Sequence, residues 1–326
     1  APDVCENVKI NNMPIQNGRG RLIPLTESIL RTPRNRNHLL HIVLLSALLR
    51  SFRVYNGDKA STSQFKSVVQ IQWEDNVEDE RGFCSGTAIE KNLILTAGHC
   101  VSLNDTAMYK VISGTNFVGK GGKRHSVVKR HRHRGYGTYK VERNGKTVEY
   151  CKNCDDIGLL EISPPIEVND VTDVMRLNPR DTKRPTDGCT VAGWGFTERN
   201  KTSADLLWTD VTLLDKAHCS AGLSAKFKES YVSRLILCSK GTKAGAGACA
   251  GDSGGALVCR YGTETFLQGI ISFHPMLLKS SSYKKNQYLF CDQTMPNFYT
   301  DINAYRMFLE GHGIVFPETD LYAPDQ

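Results

Sequence analysis

Long apolar runs are missing from the sequence. The longest, at 38–49, has about a dozen residues with basic residues on both sides, fewer than the ~18 that a membrane-spanning helix needs. We interpret it as a short amphipathic segment, the alternative being the core of a signal peptide. The sequence begins at Ala1 without a Met, which is compatible with a targeting peptide that has already been removed. We therefore expect no membrane span.

Most of the chain has no large excess of either charge. The net charge is +7, but residues 1–53 contain eight Lys or Arg against three Asp or Glu, so the remainder is nearly neutral. This balance does not favour nucleic acid as a partner. The sequence contains no internal repeat and no two CxxC motifs at zinc-finger spacing, and we expect neither a metal site nor a cofactor.

Cysteines, by contrast, are present in number. Eleven of them are widely dispersed along the chain, a pattern typical of disulfides formed in an oxidising compartment. Two Asn-x-Thr sequons, at Asn104 and Asn200, are compatible with N-glycosylation in a secreted protein. We therefore expect a secreted, extracellular protein.

Short β-rich runs begin after Val54 and are separated by clusters of Gly, Asn and Asp. They lie at 67–73, 93–96, 158–162, 189–193, 256–259 and 266–272. This pattern predicts an all-β fold built from closed sheets or barrels. The predicted organisation is an N-terminal extension or activation pro-segment at 1–53, one domain at 54–313 and a polar tail at 314–326.

One helix is predicted near the end of the domain. Asp301 can cap its start, and Gly311 follows its end. The apolar positions between them, which share one helical face, are Ile302, Tyr305, Phe308 and Leu309.

Three separate motifs supply the groups that an activated serine needs. The sequence Gly-Asp-Ser-Gly-Gly surrounds Ser253 with small residues, and a serine hydroxyl becomes a good nucleophile when a base takes its proton. Thr-Ala-Gly-His-Cys supplies His99 as that base. Asp-Asp-Ile-Gly-Leu-Leu-Glu supplies a carboxylate to hold the imidazole tautomer, and we choose Asp156 over Asp155 because it adjoins the apolar Ile157. Each motif alone is compatible with a structural role, whereas their combination favours catalysis.

The order His, Asp, Ser resembles that of the chymotrypsin/trypsin family of serine peptidases, over about residues 54–312. The resemblance implies two packed six-stranded antiparallel β-barrels with a C-terminal helix and a site in the cleft between the barrels. It implies a monomeric serine endopeptidase that hydrolyses protein or peptide substrates through an acyl-enzyme. The alternative is a weak or inactive homologue that keeps the fold as a binding or regulatory module, which the altered pocket positions His274 and Asn297 favour.

The same resemblance assigns further residues. The backbone N–H groups of Gly251 and Ser253 would form the oxyanion hole, and Ser272 would support the buried aspartate. It also implies four disulfides: Cys84–Cys100, Cys189–Cys259, Cys219–Cys238 and Cys249–Cys291. Cys5, Cys151 and Cys154 are left over, and a link from Cys5 to one of the other two is a hypothesis.

Activation by cleavage is expected because family members become active when a cut frees an apolar N-terminus. Arg53-Val54 resembles such a site, although Tyr55-Asn56 departs from the usual Val-Gly. We predict that a trypsin-like protease cuts after Arg53 and that the new α-amine of Val54 pairs with Asp252. The alternative is that Arg53 is an ordinary surface residue.

The specificity pocket departs from the trypsin pattern. Gly247 stands six residues before the serine, where trypsin-type enzymes have Asp, and Ala248 follows it. Ser272 and Phe273 precede His274, which replaces a wall glycine, as does Asn297. We therefore expect an uncharged P1 residue.

Two insertions, at 137–154 and 275–290, border the predicted cleft; they could restrict substrate choice or be disordered decoration. The basic run Lys123–Arg134 could bind heparin-like polyanions or an acidic partner, or form a solvated strand edge.

Overall fold

The computed structural model describes residues 54–61, 63–75, 80–143, 146–179, 185, 188–197, 201–221, 236–273, 291 and 295–317. For strand residues 75, 80 and 81, and for the described residues of 138–153 other than Thr147, the structure describes the backbone alone. All of the described residues lie in one compact unit of the chain. Several predicted features lie outside them: the extension at 1–53 with Cys5 and Arg53, the insertion at 275–290, most of the tail, Asn200 and His274.

The first half of the described chain forms a closed six-stranded antiparallel barrel. Its strands, in chain order, are β2 (Val68–Asp75), β3 (Glu80–Glu90), β4 (Leu93–Thr96), β5 (Tyr109–Ser113), β6 (Lys123–Arg132) and β9 (Gly158–Ser163), after a short β1 (Asp58–Lys59) that pairs elsewhere. The spatial order is β2-β3-β4-β9-β6-β5. Closure removes the free sheet edges, which would otherwise promote association with other chains.

The second half forms another barrel. Its strands are β10 (Cys189–Gly193), β11 (Leu207–Leu213), β12 (Ile236–Gly241), β13 (Ala256–Tyr261), β14 (Glu264–Phe273) and β15 (Asn297–Asp301). They follow the order β11-β10-β13-β14-β15-β12, a pairing of β11 with β12 closes the ring, and β1 adds to β11. The predicted pair of six-stranded antiparallel barrels is confirmed.

Every second side chain of a strand points into its barrel, because successive residues of a strand point to opposite faces. In β11 Leu207, Thr209, Val211 and Leu213 are buried, and the residues between them are more exposed. The second barrel's core contains Val191, Val211, Leu257 and Tyr299. A larger cluster fills the first barrel and extends to Trp194, whose indole N–H donates to the carbonyl of Asn116 at 2.9 Å.

Helices are short in the described residues. Turns of 3₁₀ helix span Gly98–Val101, Thr106–Met108 and Ile302–Tyr305, and the two α-helices are α1 (Lys216–Ala221) and α2 (Arg306–Glu310). None of these helices is long and apolar enough to cross a membrane. The predicted C-terminal helix is present: Asp301 caps the 3₁₀ turn through the N–H of Asn303, and α2 continues from that turn to a C-cap at Gly311.

A further hairpin lies outside both barrels. Strands β7 (Gly137–Arg143) and β8 (Lys146–Cys154) pair only with each other. They occupy the predicted insertion at 137–154, directly before the residues Asp155 and Asp156. This insertion is therefore a β-hairpin that immediately precedes the two aspartates and strand β9.

Candidate active site

The histidine of the predicted site lies immediately after β4. Its backbone turns sharply there because the N–H of Cys100 donates to the carbonyl of Ala97 at 3.1 Å. Cys100 is bonded to Cys84 on β3, which fixes this turn to the neighbouring strand. His99 is 8% exposed and its Nε2 is buried, so the ring is largely shielded from water.

The structure brings Asp156 to this histidine. His99 Nδ1 lies 2.9 Å from Asp156 Oδ2 and 3.1 Å from Oδ1. The backbone N–H of His99 also donates to Oδ1 at 2.9 Å. Two hydrogen bonds from one residue therefore hold the imidazole in a fixed orientation with Nδ1 toward the carboxylate, which leaves Nε2 as the nitrogen on the far side of the ring.

The neighbouring Asp155 lies in a different environment. Its φ is +52°, a left-handed conformation that non-glycine residues rarely adopt. The reversal turns its side chain away, so that Oδ1 accepts from the Tyr305 hydroxyl at 2.8 Å. The unusual backbone thus separates two adjacent carboxylates and directs only Asp156 to His99.

Two residues of the second barrel hold Asp156 in place. The Ser272 hydroxyl, on β14, donates to Oδ2 at 2.5 Å, the contact that the family resemblance implies. The Thr300 hydroxyl, on β15, donates to the carbonyl of Asp156 at 2.7 Å. No sequence motif marks Thr300, which is 144 residues away from Asp156. Because Asp156 precedes a first-barrel strand, these bonds tie the barrels together at the site.

Ser253 lies in a loop that contacts the histidine segment. Its carbonyl accepts from the N–H of Ser85 on β3 at 2.8 Å. At Gly254, with φ +79°, a Cβ would lie 2.1 Å from Thr96 Oγ1 and 3.2 Å from the Ala97 nitrogen. Only glycine permits this approach, and it brings the serine loop against the residues that precede His99. Ser253 is 9% exposed, comparable with the histidine.

Two backbone N–H groups beside Ser253 are available to an acceptor. Among the described residues, the N–H groups of Gly251 and Ser253 donate to no protein group. Gly251 has φ +93°, and a Cβ there would lie 3.0 Å from the Cα of Gly195. The conformation therefore requires glycine, and it leaves a pair of donors next to the serine where an oxyanion hole was predicted.

Asp252, between these residues, points into the protein. Its two oxygens accept from the N–H of Gly195 at 2.7 Å and the N–H of Cys249 at 2.9 Å. Burial raises its pKa to about 7, against 3.8 for a free aspartate, and the two hydrogen bonds oppose this shift only partly. No cationic side chain of the described part contacts it. The carboxylate is therefore poorly compensated in the uncut chain.

The segment at Val54 packs against the pocket loop. Val54 is 1% exposed and has φ +48°, a strained value for a β-branched residue. Tyr55 pairs with Gly247, whose N–H donates to the Tyr55 carbonyl at 3.1 Å. The apolar side chain that follows Arg53 in sequence is thus already buried.

The described residues of the predicted pocket lie on strands of the second barrel or on the connection between β12 and β13. Gly247 and Ala248 are buried, Asn297 is buried at the start of β15, and Phe273 stacks on Phe298 with ring centroids 4.7 Å apart. Sequence reasoning did not find Tyr299, whose hydroxyl bonds to that of Ser239 at 2.7 Å. Burial raises the pKa of Tyr299, which keeps this hydroxyl neutral.

The four implied disulfides are all present, joining Cys84–Cys100, Cys189–Cys259, Cys219–Cys238 and Cys249–Cys291. Cys154 is disulfide-bonded as well. The sulfurs of Cys84 and Cys100 lie near the His99 ring in a cluster of metal-ligand type, but a disulfide does not offer thiolates to a metal. Asn104 is exposed, as an N-glycosylation site requires.

Two barrels with a His–Asp pair and a glycine-flanked serine between them define a chymotrypsin-fold serine endopeptidase. A model of the family described as Trypsin matches residues 54–309. The chain therefore belongs to the trypsin family, and the predicted serine endopeptidase activity class and family are confirmed.

Several proteins are similar to this chain. "Trypsin zeta" of Drosophila erecta is 30% identical over 230 residues, which cover 68% of this chain and 76% of that protein. "Tonin" of Rattus norvegicus is 31% identical over 61% of this chain and 73% of its own length. A solved structure titled "HL collagenase" matches with a TM-score of 0.62 and 22% identity, over 80% of this chain and all of that one; this likeness concerns the fold alone.

Proposed function

We propose that His99, Asp156 and Ser253 form a catalytic triad that hydrolyses peptide bonds. The observation that carries the proposal is the hydrogen-bonded chain from Ser272 through the Asp156 carboxylate to His99 Nδ1, at 2.5 Å and 2.9 Å. This chain fixes the tautomer with a proton on Nδ1, so that Nε2 is the basic nitrogen.

The reaction follows from these positions. Ser253 Oγ attacks the substrate carbonyl carbon while His99 Nε2 takes the hydroxyl proton, and the carbonyl oxygen becomes an anion held by the N–H groups of Gly251 and Ser253. The imidazolium then gives its proton to the leaving amine as the peptide C–N bond breaks. Water attacks the acyl-enzyme in the same way, with Ser253 as the leaving group. Asp156 stays ionised and stabilises the imidazolium throughout.

Activation follows from the surroundings of Asp252. Its buried carboxylate lacks a cationic partner among the described residues, and the buried Val54 is held in a strained conformation. Cleavage after Arg53 by a trypsin-like protease would create an α-amine at Val54, with an unperturbed pKa of ~7.7–8.0. An ion pair of that amine with Asp252 would compensate the buried charge and hold the Gly251–Ser253 loop in its active form.

Specificity for an uncharged P1 residue follows from the pocket's composition. None of its described residues carries a charge: Gly247, Ala248, Ser272, Phe273 and Asn297. A Lys or Arg side chain entering this site would lose its hydration without gaining a counter-ion. Asn297, 1% exposed, offers an amide to a polar but neutral side chain.

The partners and location complete the proposal. We infer a secreted monomer that is glycosylated at Asn104 and Asn200, acts on protein or peptide substrates, and binds polyanions through Lys123–Arg134. Its disulfides support an oxidising compartment.

A peptide-library cleavage profile of the activated chain tests the function. We expect cleavage after uncharged residues, and none by the Ser253→Ala variant activated in the same way. Cleavage chiefly after Lys or Arg would overturn the proposed specificity. Equal cleavage by Ser253→Ala would overturn the triad.

A further inference from the structure

An open pocket of about 510 Å³ lies between the 3₁₀ turn Thr106–Met108 and the end of β6. The lining residues that matter here are Asn104, Lys129, Arg130, Arg132, Arg134 and Tyr136. We propose that this pocket binds sulfate groups of a sulfated saccharide, and that an N-glycan on Asn104 closes it. The inference rests on the proposed polyanion binding and narrows it from the run Lys123–Arg134 to one site.

The first part of the basic run is largely neutralised. Lys123 pairs with Glu167. His125 is 1% exposed and lies between the Ser113 hydroxyl, at 2.9 Å, and the Pro164 carbonyl, at 2.6 Å. Burial lowers its pKa, which favours the uncharged form of this ring. Only Arg124 remains as an exposed cation without an acidic partner in the described part.

In the second part of the run, residues 129–134, the arginines lack acidic partners among the described residues. Lys129 and His131 share Glu161, at 3.5 Å and 2.6 Å. Arg130 instead donates to the carbonyl of Val101 at 3.0 Å and to Asn104 Oδ1, both uncharged acceptors.

The other two arginines of the pocket are equally uncompensated. Arg132 lies over the Tyr136 ring, 4.9 Å from its centroid, and Arg134 is exposed. Neither forms an ion pair with the described residues. Asp105, which follows Asn104 in sequence, accepts from the N–H of Ala107 at 2.9 Å. Three guanidinium groups thus line one concave surface, which concentrates positive potential there.

Guanidinium groups bind sulfate and phosphate oxygens through two parallel hydrogen bonds, whereas lysine acts as a point charge. The pocket's volume lies in the range of small-molecule sites, roughly 300–1,000 Å³. It is therefore large enough for a sulfated sugar unit and carries the donors that such a unit requires.

Nucleic acid fits this pocket less well because single strands bind largely through base stacking on aromatic rings. One face of Tyr136 is covered by Arg132, and Tyr136 Cδ2 would lie 2.9 Å from a Cβ at Gly98. The ring of His133 packs edge-on against Tyr305 and Phe308, each centroid 5.3 Å away. The rings of this pocket are thus already engaged by protein.

Asn104 connects the pocket to glycosylation. Arg130 donates to the amide oxygen Oδ1 of Asn104. An N-glycan is attached to the amide nitrogen Nδ2, which this hydrogen bond does not involve. Asn104 is exposed at the pocket wall, and Thr106 of the same sequon also lines it. A sugar on Asn104 would therefore extend across the opening and compete with a saccharide ligand.

Two matched variants of the full chain test the site, both produced without N-glycans. Arg132→Gln/Arg134→Gln removes two charges from the pocket, and Lys123→Gln/Arg124→Gln removes two charges from the same run outside it. The probe is a fluorescent heparin octasaccharide, measured by anisotropy at 0.1 M salt. We expect the pocket variant to raise Kd by at least about tenfold, since each charge-assisted contact contributes about that factor, and the control to change it less than about threefold.

Equal weakening by both variants would support polyanion binding by the run but overturn its assignment to this pocket. Absence of binding by the wild-type chain would overturn both proposals. Equal affinity for a single-stranded oligonucleotide of the same charge would overturn the saccharide assignment. Arg134→Gln alone, at an exposed position, gives the same test if the double variant folds poorly, with a smaller expected loss.

The glycan effect is tested in chain secreted from glycosylating cells. We expect Asn104→Gln, which keeps an acceptor for Arg130, to bind the octasaccharide at least about fivefold more tightly than the glycosylated wild type. Equal affinities, with glycan at Asn104 verified by mass spectrometry, would contradict the placement of that glycan at the opening.

Discussion

Replacing Asp252 by Asn tests the activation mechanism in the uncut chain. In the folded chain this carboxyl has a pKa of about 7, and in the unfolded chain its value is 3.8. Between pH 5 and pH 7 the unfolded chain has therefore lost this proton while the folded chain keeps it. Stability falls with rising pH wherever the folded state binds more protons, so Asp252 destabilises the uncut protein progressively up to about pH 7.

The magnitude follows from the two pKa values. At full effect each pH unit contributes about 1.4 kcal/mol, and the effect declines as the folded carboxyl approaches its own pKa of about 7. About 2 kcal/mol of unfolding free energy is therefore lost between pH 5 and pH 7, with little further change above pH 8. Asn does not ionise, and its amide can accept from only one of the N–H groups of Gly195 and Cys249. We expect Asp252→Asn to be near neutral at pH 5 and more stable than wild type by about 2–3 kcal/mol at pH 8.

The assay is urea unfolding at pH 5 and pH 8, followed by tryptophan fluorescence with disulfides intact and in a Ser253→Ala background that prevents self-digestion. Groups other than Asp252 cancel in the difference between the two chains. After cleavage at Arg53 the sign should reverse, because removing one partner of a buried ion pair destabilises by about 3–5 kcal/mol. A variant effect that is the same at both pH values, or the same before and after cleavage, would refute the reasoning.

Four further changes test other parts of the site. Ser272→Ala should lower kcat about tenfold with KM nearly unchanged, because the catalytic carboxylate loses one of its hydrogen bonds; an unchanged kcat would contradict its supporting role. Gly251→Ala should reduce kcat by about 10²–10³ through the distorted oxyanion donor, measured by steady-state kinetics on a folded variant. Gly247→Asp should shift P1 preference toward Lys and Arg in a peptide library, and an unchanged profile would place the pocket floor elsewhere. Tyr305→Phe should lower the unfolding free energy by about 1 kcal/mol yet leave kcat within about threefold, since its partner Asp155 does not touch His99; a large loss of kcat would show that the two aspartates are coupled.

The strands that the sequence predicts well are those with uninterrupted apolar runs. The runs at 93–96 and 189–193 coincide with β4 and β10, whose residues are almost all buried. Strand β6 is different, because its charged residues dominate the pattern and only His125 and Val127 are fully buried. Because one of its inward-facing residues is a histidine, β6 does not show the apolar–polar alternation of a half-buried strand. The place of β6 in the closed barrel depends on its pairing with β5 and β9.

Some residues of the site can be recognised from their neighbours in sequence, and others only from contacts between distant parts of the chain. The glycine-flanked Ser253 and the His99-Cys100 pair are visible because their chemistry depends on immediate neighbours. Thr300 and Tyr305 contact the aspartates from 144 and 150 residues away, and no local pattern marks them. Their roles follow only from the closure of the second barrel against the first.

Active-site labelling with a fluorophosphonate tests the central claim most directly. We expect the chain cut after Arg53 to be labelled on Ser253, while the uncut chain and a cut His99→Ala variant react far more slowly. No labelling of the cut chain, or equal labelling of the His99→Ala variant, would contradict a serine activated by His99.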